Sequence, residues 1–339
     1  MNAYVSRALL SRQAAILLVA IGLFVGFAAN APHFLEPRTQ FEILRVTAFS
    51  LLIGLPLTML VIAGEVDLSI GSNYGLTSVL AAIAIIDWGW NPWAAAALAV
   101  GVGGMVGLIN GLAVVKLKVP SFILTIGMLS LLRGLALVLT MGLSIDIPAT
   151  VESSFFAFAG GQIGPVPAQV LWAGAAFAAT GFVLHHTLFG ARLYATGGNA
   201  RAALQMGVDP GRVKIWVFVL LGLACGLTGA LTTGWLRLGA PNTGTGGELA
   251  IIAAVIIGGA ALSGGVGTAT GTLIGALIVS MLQIGLVLLG VQGNWVQVFV
   301  GVLIVVAASI EPHLRPDGAL GEWLRGLRPT ATGGLHGDR

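Results

Sequence analysis

Two acidic side chains, Glu65 and Asp67, stand one residue apart in the segment GEVDLSIGSNYG, between two apolar runs. Carboxylates at membrane depth are costly and usually belong to a functional site. Ser69 and Asn73 follow with uncharged hydrogen-bonding groups, and the glycines around them predict a break in helical structure. Two interpretations stay open: a polar site that lines a wet cavity, or a turn in which the Asp67 carboxylate caps the next helix.

Further polar side chains interrupt other apolar runs. Glu248 follows the segment PNTGTGG, and Asn110, Arg133 and Gln283 lie within apolar runs. Uncharged groups could bind a polyol weakly enough to release it; the alternative is a hydrogen bond between helices, worth about 0.6–2 kcal/mol. Arg133 must snorkel, pair with an acid or line water. The candidate pathway or gating residues are Glu65, Asp67, Ser69, Asn73, Asn110, Glu248 and Gln283.

The longest interior polar segment covers residues 185–214 and carries four Lys and Arg residues against one acid. Several charges cannot lie in hydrocarbon, so this segment is predicted to be a loop in water. Residues 194–199 are predicted to form a turn, and Asn199 to cap a short helix at 200–206 that ends at Gly207. Such a helix could dock in a cleft of a partner, and an inert connection is the alternative.

The composition is that of an integral membrane protein. Hydrophobic residues make up 57% of the chain and charged residues 9%, whereas soluble domains have about 25% charged residues. Fifty glycines among 339 residues suit helices that pack closely through small residues. The net charge of +3 is explained by the excess of Lys and Arg in cytoplasmic loops. We therefore expect membrane lipid, and not nucleic acid, to surround or bind this chain.

Ten apolar segments are candidate spanning helices, several of them shorter than the roughly 20 residues that a straight span needs. They run from about 14–29, 43–63, 70–86, 93–114, 121–141, 168–184, 215–235, 249–263, 268–290 and 295–310. With the N-terminus inside, twelve Lys and Arg residues fall on inside segments and three on outside segments. This bias predicts both termini in the cytoplasm.

Five spans on each side of the central loop predict an all-α membrane protein of two inverted five-helix halves, with some helices short or broken. The expected order is a cytoplasmic N-terminus at 1–12, a transmembrane domain at 13–310 and a cytoplasmic tail at 311–339. Within that domain, halves 13–184 and 215–310 are joined by the cytoplasmic loop 185–214. GEVDL before the third segment is echoed faintly by GGEL before the eighth.

Sequence signals of catalysis are absent. The chain has no G-x-x-x-x-G-K-[ST] loop for ATP, no G-x-S-x-G elbow, and no histidine with a Cys or carboxylate at metal-ligand spacing. We therefore expect no catalytic residue, no metal and no cofactor in this chain. A transport subunit is the favoured class, and an ion-coupled secondary transporter with a titrating Asp67 or Glu65 is an alternative.

Four blocks of sequence resemble one family. LYATGGNARAALQMGVDPGRVK resembles the coupling-loop signature of the membrane permeases of bacterial carbohydrate importers of the ATP-binding-cassette class, the ribose and xylose type. GEVDLSIGS resembles the family's acidic glycine motif, VPSFILTIGMLSLLRGLALVLTMG its fifth span, and GGELAIIAAVIIGGAALSGGVGTATGTLIGAL its second half. The resemblance covers roughly residues 40–310. Related permeases for branched-chain amino acids or nucleosides are the nearest alternative.

The resemblance implies a ten-helix permease of the bacterial inner membrane that pairs with a second permease chain. Cytoplasmic ATPase subunits would bind ATP and Mg, and a periplasmic sugar-binding protein would deliver the cargo. The ATPase would contact the coupling loop at Tyr194, Gly197, Gly198, Asn199, Arg201, Ala203 and Gly207. One departure is Glu248-Leu249-Ala250, where many relatives carry Glu-Leu-Asp, so any role for a following acid is absent here.

Overall fold

The computed structural model describes the backbone of residues 3–310, with side chains from residue 13 apart from a few positions near the end of that range. The predicted tail at 311–339 lies outside the described residues. The chain forms thirteen helices there: α1 Ala3–Asn30, α2 Pro37–Ile62, α3 Ile70–Ile86, α4 Pro92–Lys116, α5 Ser121–Thr140, α6 Ser154–Gly160, α7 Ala168–His186, α8 Leu188–Gly198, α9 Ala200–Gln205, α10 Pro210–Leu236, α11 Gly247–Ile257, α12 Ala269–Leu288 and α13 Gly293–Ile310.

Seven of these helices are long and apolar enough to cross a membrane within the part of the chain that the structure describes. They are Gln13–Asn30, Pro37–Ile62, Pro92–Lys116, Ser121–Thr140, Ala168–His186, Pro210–Leu236 and Ala269–Leu288. Helices α3 and α11 are apolar but shorter, with 17 and 11 residues. The predicted all-α membrane class is confirmed, whereas the count of ten spans stays a prediction.

Two sequence-based boundaries are wrong. The apolar run 249–263 is helical only as far as Ile257. Gly258 and Gly259 follow, and Gly259 takes a positive φ of 92°, which ends the helix. Residues 194–199 are not a turn: α8 continues to Gly198. Leu193 and Thr196 are buried against the rest of the protein, and this packing outweighs the low helix propensity of the glycines.

Helices α2 and α10 form the centre of the bundle. Every residue of α2 from Leu51 to Ile62 is buried. Helix α2 packs on α11 and α12, and α10 packs on α3 and α4; these two central helices also contact each other. Contacts of α3 with α4 and α5 have counterparts in those of α11 with α12 and α13. The packing of α2–α5 is therefore repeated by α10–α13.

Glycines bring α4 and α10 into backbone contact. A Cβ atom added to Gly107 would overlap the carbonyl oxygen of Phe218, and one added to Gly222 would overlap that of Gly103. Small residues at such positions let two helices approach closely in a membrane, where van der Waals packing drives their association. The glycines of α4 thus form the surface that packs against α10.

A connection of a short strand and a series of turns follows α10 and runs along α3. Its first residues form β4, Leu238–Gly239, which pairs with β1, Ile145–Asp146; the only other strands among residues 3–310 are β2, Gln162–Ile163, and β3, Val166–Pro167, which pair with each other. Further along, the Thr243 carbonyl lies against Gly75, and Gly244 lies against Gly71, in the first turn of α3. We call residues 240–247 the re-entrant segment, because it turns back from the end of α10 along a buried helix.

We predict opposite effects for two glycine substitutions on α4. Gly107→Ala should lower the free energy of unfolding by about 1–3 kcal/mol, because the added methyl group overlaps the backbone of α10. Gly101→Ala is the matched control, since a Cβ there meets no atom within 4 Å. It should be neutral or stabilise by up to about 1 kcal/mol. Thermal unfolding in detergent measures both, and an equal loss in the control would contradict the packing argument.

Candidate functional site

The connection between α2 and α3 meets the start of α10 through an ion pair. Gly64 ends α2 with a φ of 80°, and the Glu65 Oε1 atom then lies 2.5 Å from the Lys214 Nζ atom. Both side chains are mostly buried, with exposed fractions of 14% and 23%. Lys214 belongs to the first turns of α10, directly after the central loop. The pair therefore ties the two central helices together at the end of the bundle that carries this loop.

Asp67 is buried and fully engaged by neighbouring side chains. Its Oδ1 atom accepts hydrogen bonds from the Ser69 backbone N–H at 2.7 Å and the Ser69 hydroxyl at 2.6 Å. Its Oδ2 atom accepts one from the Asn110 amide at 3.1 Å, and that amide also contacts the Ser69 Oγ atom at 3.1 Å. The carboxylate thus orders the residues just before α3 and ties them to α4. It does not cap α3, because the N-cap residue is Ser69 and no side chain makes a capping bond there.

Asp67 lies in the segment between α2 and α3 and belongs to neither helix. Burial raises the pKa of the Asp67 carboxyl above its ordinary value, and hydrogen bonds from Ser69 and Asn110 act in the opposite direction. The Asn110 Oδ1 atom is buried without a partner among the described residues. A neutral acid at Asp67 could donate a hydrogen bond to this oxygen only after the Asn110 amide turns over, because its Nδ2 atom now faces the carboxylate.

The central loop is built from α8 and α9 and packs on the membrane helices. Tyr194 donates its hydroxyl proton to the Gly267 carbonyl oxygen at 2.7 Å, and burial raises the pKa of this phenol. A Cβ atom on Gly197 would collide with the Ile62 carbonyl oxygen, which already accepts a bond from the Gly265 N–H at 2.8 Å. The loop is thus held between the end of α2 and the connection from α11 to α12.

The opposite face of the loop is exposed. Asn199 caps α9 by accepting bonds from the Arg201 and Ala202 N–H groups, each at 3.1 Å. A Cβ atom on Gly198 would meet no atom within 4 Å. Ala203 is buried, Gly207 ends the segment with a φ of 81°, and the apolar side chains Leu204 and Met206 are 63% and 85% exposed. Exposed apolar side chains on a polar loop are typical of a protein contact surface.

A second polar group lies where the re-entrant segment meets α3 and α5. Glu248, in the first turn of α11, accepts a bond from the Gly246 N–H at 3.3 Å. Its Oε2 atom is buried against Gly71 and has no partner among the described residues. Arg133 of α5 donates from Nη1 to the carbonyl oxygens of Pro241 and Thr243, the latter at 2.9 Å.

The structure divides the predicted site residues into two groups. Glu65, Asp67, Ser69 and Asn110 lie together near the central loop. Asn73 lies one turn further along α3 and donates to the Gly103 carbonyl oxygen at 3.3 Å. Glu248 belongs to the second group, and Gln283 lies half-buried on α12. Among the described residues no cluster of three or more His, Cys, Asp or Glu side chains could hold a metal ion.

Sequence reasoning missed several partners. Lys214 was assigned only to the loop, although its charge is opposite to that of Glu65, and both flank apolar runs at the same predicted membrane face. The carbonyl groups of Pro241 and Thr243 that Arg133 binds had no sequence signal, whereas the expectation that Arg133 snorkels, pairs with an acid or lines water stays a prediction. The hydroxyl pair Thr58–Thr272, 2.5 Å apart, joins α2 to α12 and had no sequence signal.

Comparison with known proteins gives one consistent result. The family model described as branched-chain amino acid transport system / permease component matches residues 39–308. The ribose import permease protein RbsC of Escherichia coli K12 is 35% identical over 91% of this chain and 96% of its own length. RbsC of Bacillus subtilis 168 is 39% identical over 83% and 86%, and the L-arabinose permease AraH of Azospirillum brasilense is 34% identical over 90% and 89%. No solved structure is significantly similar.

We predict that Asp67→Asn is tolerated better than Asp67→Ala. The alanine leaves the Ser69 N–H and the Asn110 amide without an acceptor, at about 1–3 kcal/mol for each buried group. The asparagine keeps an oxygen for Ser69, and if the Asn110 amide turns over, its Oδ1 atom, unpaired in the wild type, accepts the new N–H. Thermal unfolding of both variants ranks them, and equal losses would contradict the geometry.

The same variants test the pKa of Asp67. A raised pKa in the folded state means that the carboxyl contributes most stability at acid pH and loses that contribution as the pH rises through the folded-state value. As the pH rises above about 4, the ordinary pKa of an aspartate, the wild-type chain should therefore lose stability relative to Asp67→Asn. A difference that does not change with pH would contradict this.

We predict that the ion pair can be reversed. Glu65→Lys places two positive charges together and should destabilise the protein, whereas the double change Glu65→Lys with Lys214→Glu should recover most of the loss. For side chains this buried, the coupling free energy should be about 1–3 kcal/mol. A double-mutant cycle from unfolding midpoints in detergent measures it, and additive effects would show that the contact contributes nothing.

Proposed function

This chain belongs to the family of branched-chain amino acid transport system permease components, and from that premise we propose that it is the permease subunit of an ATP-driven importer for a monosaccharide or a similar small polyol. The observation that carries the proposal is its similarity, over more than four-fifths of both chains, to permeases named for ribose and L-arabinose import. The chain is a membrane transport subunit and not an enzyme. ATP with Mg would be bound and hydrolysed by a separate cytoplasmic ATPase.

We propose ten spans in two inverted halves, with α3, α11 and α13 completing the set. The repeated packing of α2–α5 and α10–α13 supports this arrangement. An odd number of spans in each half gives the halves opposite orientations. Both termini and the central loop would then lie in the cytoplasm of a bacterial cell, beneath the inner membrane. The periplasmic binding protein would dock at the opposite end, and a second permease chain would complete the transporter.

The contacts of the central loop support a role in coupling. The ATPase would bind the exposed face of the loop at Gly198, Asn199 and Arg201 and at the apolar side chains of Leu204 and Met206. Arg and Met side chains are enriched in protein–protein interfaces. Movement of α8 would reach α2 through the Gly197 contact with Ile62. It would reach the link between α11 and α12 through the Tyr194 bond to Gly267.

Two other functions are weaker. A cargo of branched-chain amino acids is favoured by the description of the family model, but the three relatives above are named for pentose sugars. An ion-coupled transporter would need an acid that exchanges protons with water during transport. Asp67 is instead buried and bound by Ser69 and Asn110, and Glu65 pairs with Lys214.

The partners can be identified directly. The chain should be purified from its native membrane in mild detergent and its co-purifying proteins identified by mass spectrometry. We expect an ATPase and a secreted binding protein, and uptake of ribose or arabinose into vesicles that requires ATP and both partners. Uptake by the chain alone without ATP would replace the importer with a secondary transporter.

We predict that Gly198→Asp separates folding from coupling. The position is exposed and open, so the variant should insert and unfold like the wild type. An unpaired carboxylate in the ATPase contact costs about 2–5 kcal/mol, so ATPase binding and transport should fall more than tenfold. Gly293→Asp, at another exposed glycine with open space and without a positive φ, at the start of α13, is the control and should keep full transport. Full transport by Gly198→Asp would refute the coupling assignment.

A further inference from the structure

Helices α4 and α10 carry an apolar surface that the rest of the described chain leaves uncovered. Met105, Ile109 and Leu112 of α4 are exposed and recur at the spacing of one helix face. Trp216 and Leu220 of α10 are exposed too, one helical turn apart. Both helices are long and apolar enough to cross a membrane. An apolar stripe on the outside of a spanning helix suits contact with lipid chains.

Two exposed tryptophans lie at opposite ends of the α4–α10 pair. Trp93, in the first turn of α4, is 42% exposed, and Trp216 is 61% exposed. A Cβ atom on Gly111 would lie 3.0 Å from the Ile215 Cα atom, so Trp216 is about level with Gly111. From Trp93 to Gly111 the distance along α4 is about 27 Å. The hydrocarbon core of a bilayer is about 30 Å thick, and tryptophans collect at both of its edges. Trp93 and Trp216 therefore mark the two membrane interfaces.

Positive charges lie just beyond the second tryptophan, at the level of the lipid headgroups. A Cβ atom on Gly211 would lie 2.8 Å from a methyl carbon of Val115. Arg212 and Lys116 follow these two residues and therefore lie at the same end of the pair. Arg212 is about 6 Å before the tryptophan along α10, and Lys118 follows in the connection to α5. All three basic side chains are exposed.

These positive charges are mostly unpaired. Neither lysine forms an ion pair with any residue that the structure describes. The Arg212 Nε atom lies 3.2 Å from the Asp209 Oδ2 atom, yet 84% of the Arg212 side chain is exposed, and ion pairs this exposed contribute little. Leu117, between the lysines, is 73% exposed. Positive charges and apolar side chains therefore lie side by side at one membrane interface.

A phospholipid with a negative headgroup matches this arrangement. An arginine binds a phosphate through two N–H groups, and a lysine binds it as a point charge. Basic pockets between spanning helices are known to bind anionic headgroups. The acyl chains of the same molecule can lie along the apolar surface that continues from these charges. An acidic segment of a soluble protein would match the charges but not the apolar surface that adjoins them at membrane depth.

We propose that the ends of α4 and α10 bind one anionic phospholipid, whose headgroup contacts Lys116, Lys118 and Arg212 and whose acyl chains pass Trp216. We call these four residues the α4–α10 lipid site. The site lies at the end of the bundle that carries the central loop, because Arg212 is in the first turn of α10, directly after α9. The lipid comes from the membrane leaflet on that side. The proposal goes beyond the transport function and does not depend on the cargo.

Mass spectrometry of the intact protein, released from detergent micelles, tests the proposal. The purified chain is titrated with phosphatidylglycerol, which is anionic, and with phosphatidylcholine of the same acyl chains, which is zwitterionic. Lys116→Gln and Arg212→Gln each remove one charge from the site, and Lys116→Arg keeps the charge. Arg38→Gln is the matched control. Arg38 is exposed, forms no ion pair with a described residue and lies at the start of α2, at the opposite end of the bundle.

We expect the wild-type chain to bind one phosphatidylglycerol at least about fivefold more tightly than phosphatidylcholine. Each glutamine variant at the site should bind phosphatidylglycerol about fivefold more weakly, since one Lys or Arg near a membrane surface contributes about this factor. The thermal unfolding midpoints of these variants in lipid-free detergent should not change, because the replaced side chains are exposed. Lys116→Arg and Arg38→Gln should bind both lipids like the wild type.

Four results would overturn the lipid site. Equal affinity for the two lipids would show that the headgroup charge is not recognised. An equal loss in Arg38→Gln would show that only the net charge of the protein matters. Unchanged affinity in both glutamine variants would mean that the lipid binds elsewhere. Glutamine variants that keep phosphatidylglycerol but lose a co-purifying ATPase would show that the basic residues contact a protein partner instead.

Discussion

Pairing of backbone groups inside the membrane is the constraint on which this structure depends. Water is absent from hydrocarbon, so every N–H and C=O group there must find a partner within the protein. Ordinary spans meet the requirement within one helix. The breaks before α3 and α11 do not, and each is covered by the other half of the chain, since α10 packs on α3 and α2 packs on α11. Both breaks are possible because the central helix of each half packs against the broken helix of the other half.

The same constraint explains the positions of the glycines and of two charged side chains. Gly71 and Gly75 lie one turn apart on α3 and leave room for the Glu248 carboxylate and the re-entrant segment. Arg133 supplies hydrogen-bond donors to carbonyl groups that no helix satisfies. A charge at membrane depth is costly, and here its cost is offset because it completes the backbone pairing of an irregular segment.

Much of this architecture was predictable because apolar runs are long and charges are rare. The run at 70–86 is α3 to the residue, since the break before it is marked by Gly64 and two acids. Helix α2 begins at Pro37, six residues before its apolar run, because proline suits the first turn of a helix. Helix α8 was missed because its stability comes from burial of Leu193 and Thr196 against distant parts of the chain. The candidate site followed the same rule. Local sequence left Asp67 as either a pathway residue or a cap of α3, and the capping bond is not made. The long-range bonds of Asp67 to Asn110 and of Glu65 to Lys214 were not foreseen.

The polar groups at the loop end and at membrane depth are joined by α3. Asp67 and Asn110 hold its start near the central loop, while Gly71 and Gly75, one and two turns further on, contact the re-entrant segment. A helix is stiff over so short a distance, so a displacement of its first turn must shift the segment that rests on it. Closure of a partner against α8 would displace the end of α2, and with it the connection that precedes α3. The re-entrant segment, which rests on Gly71 and Gly75 and is held by Arg133, would then move with α3.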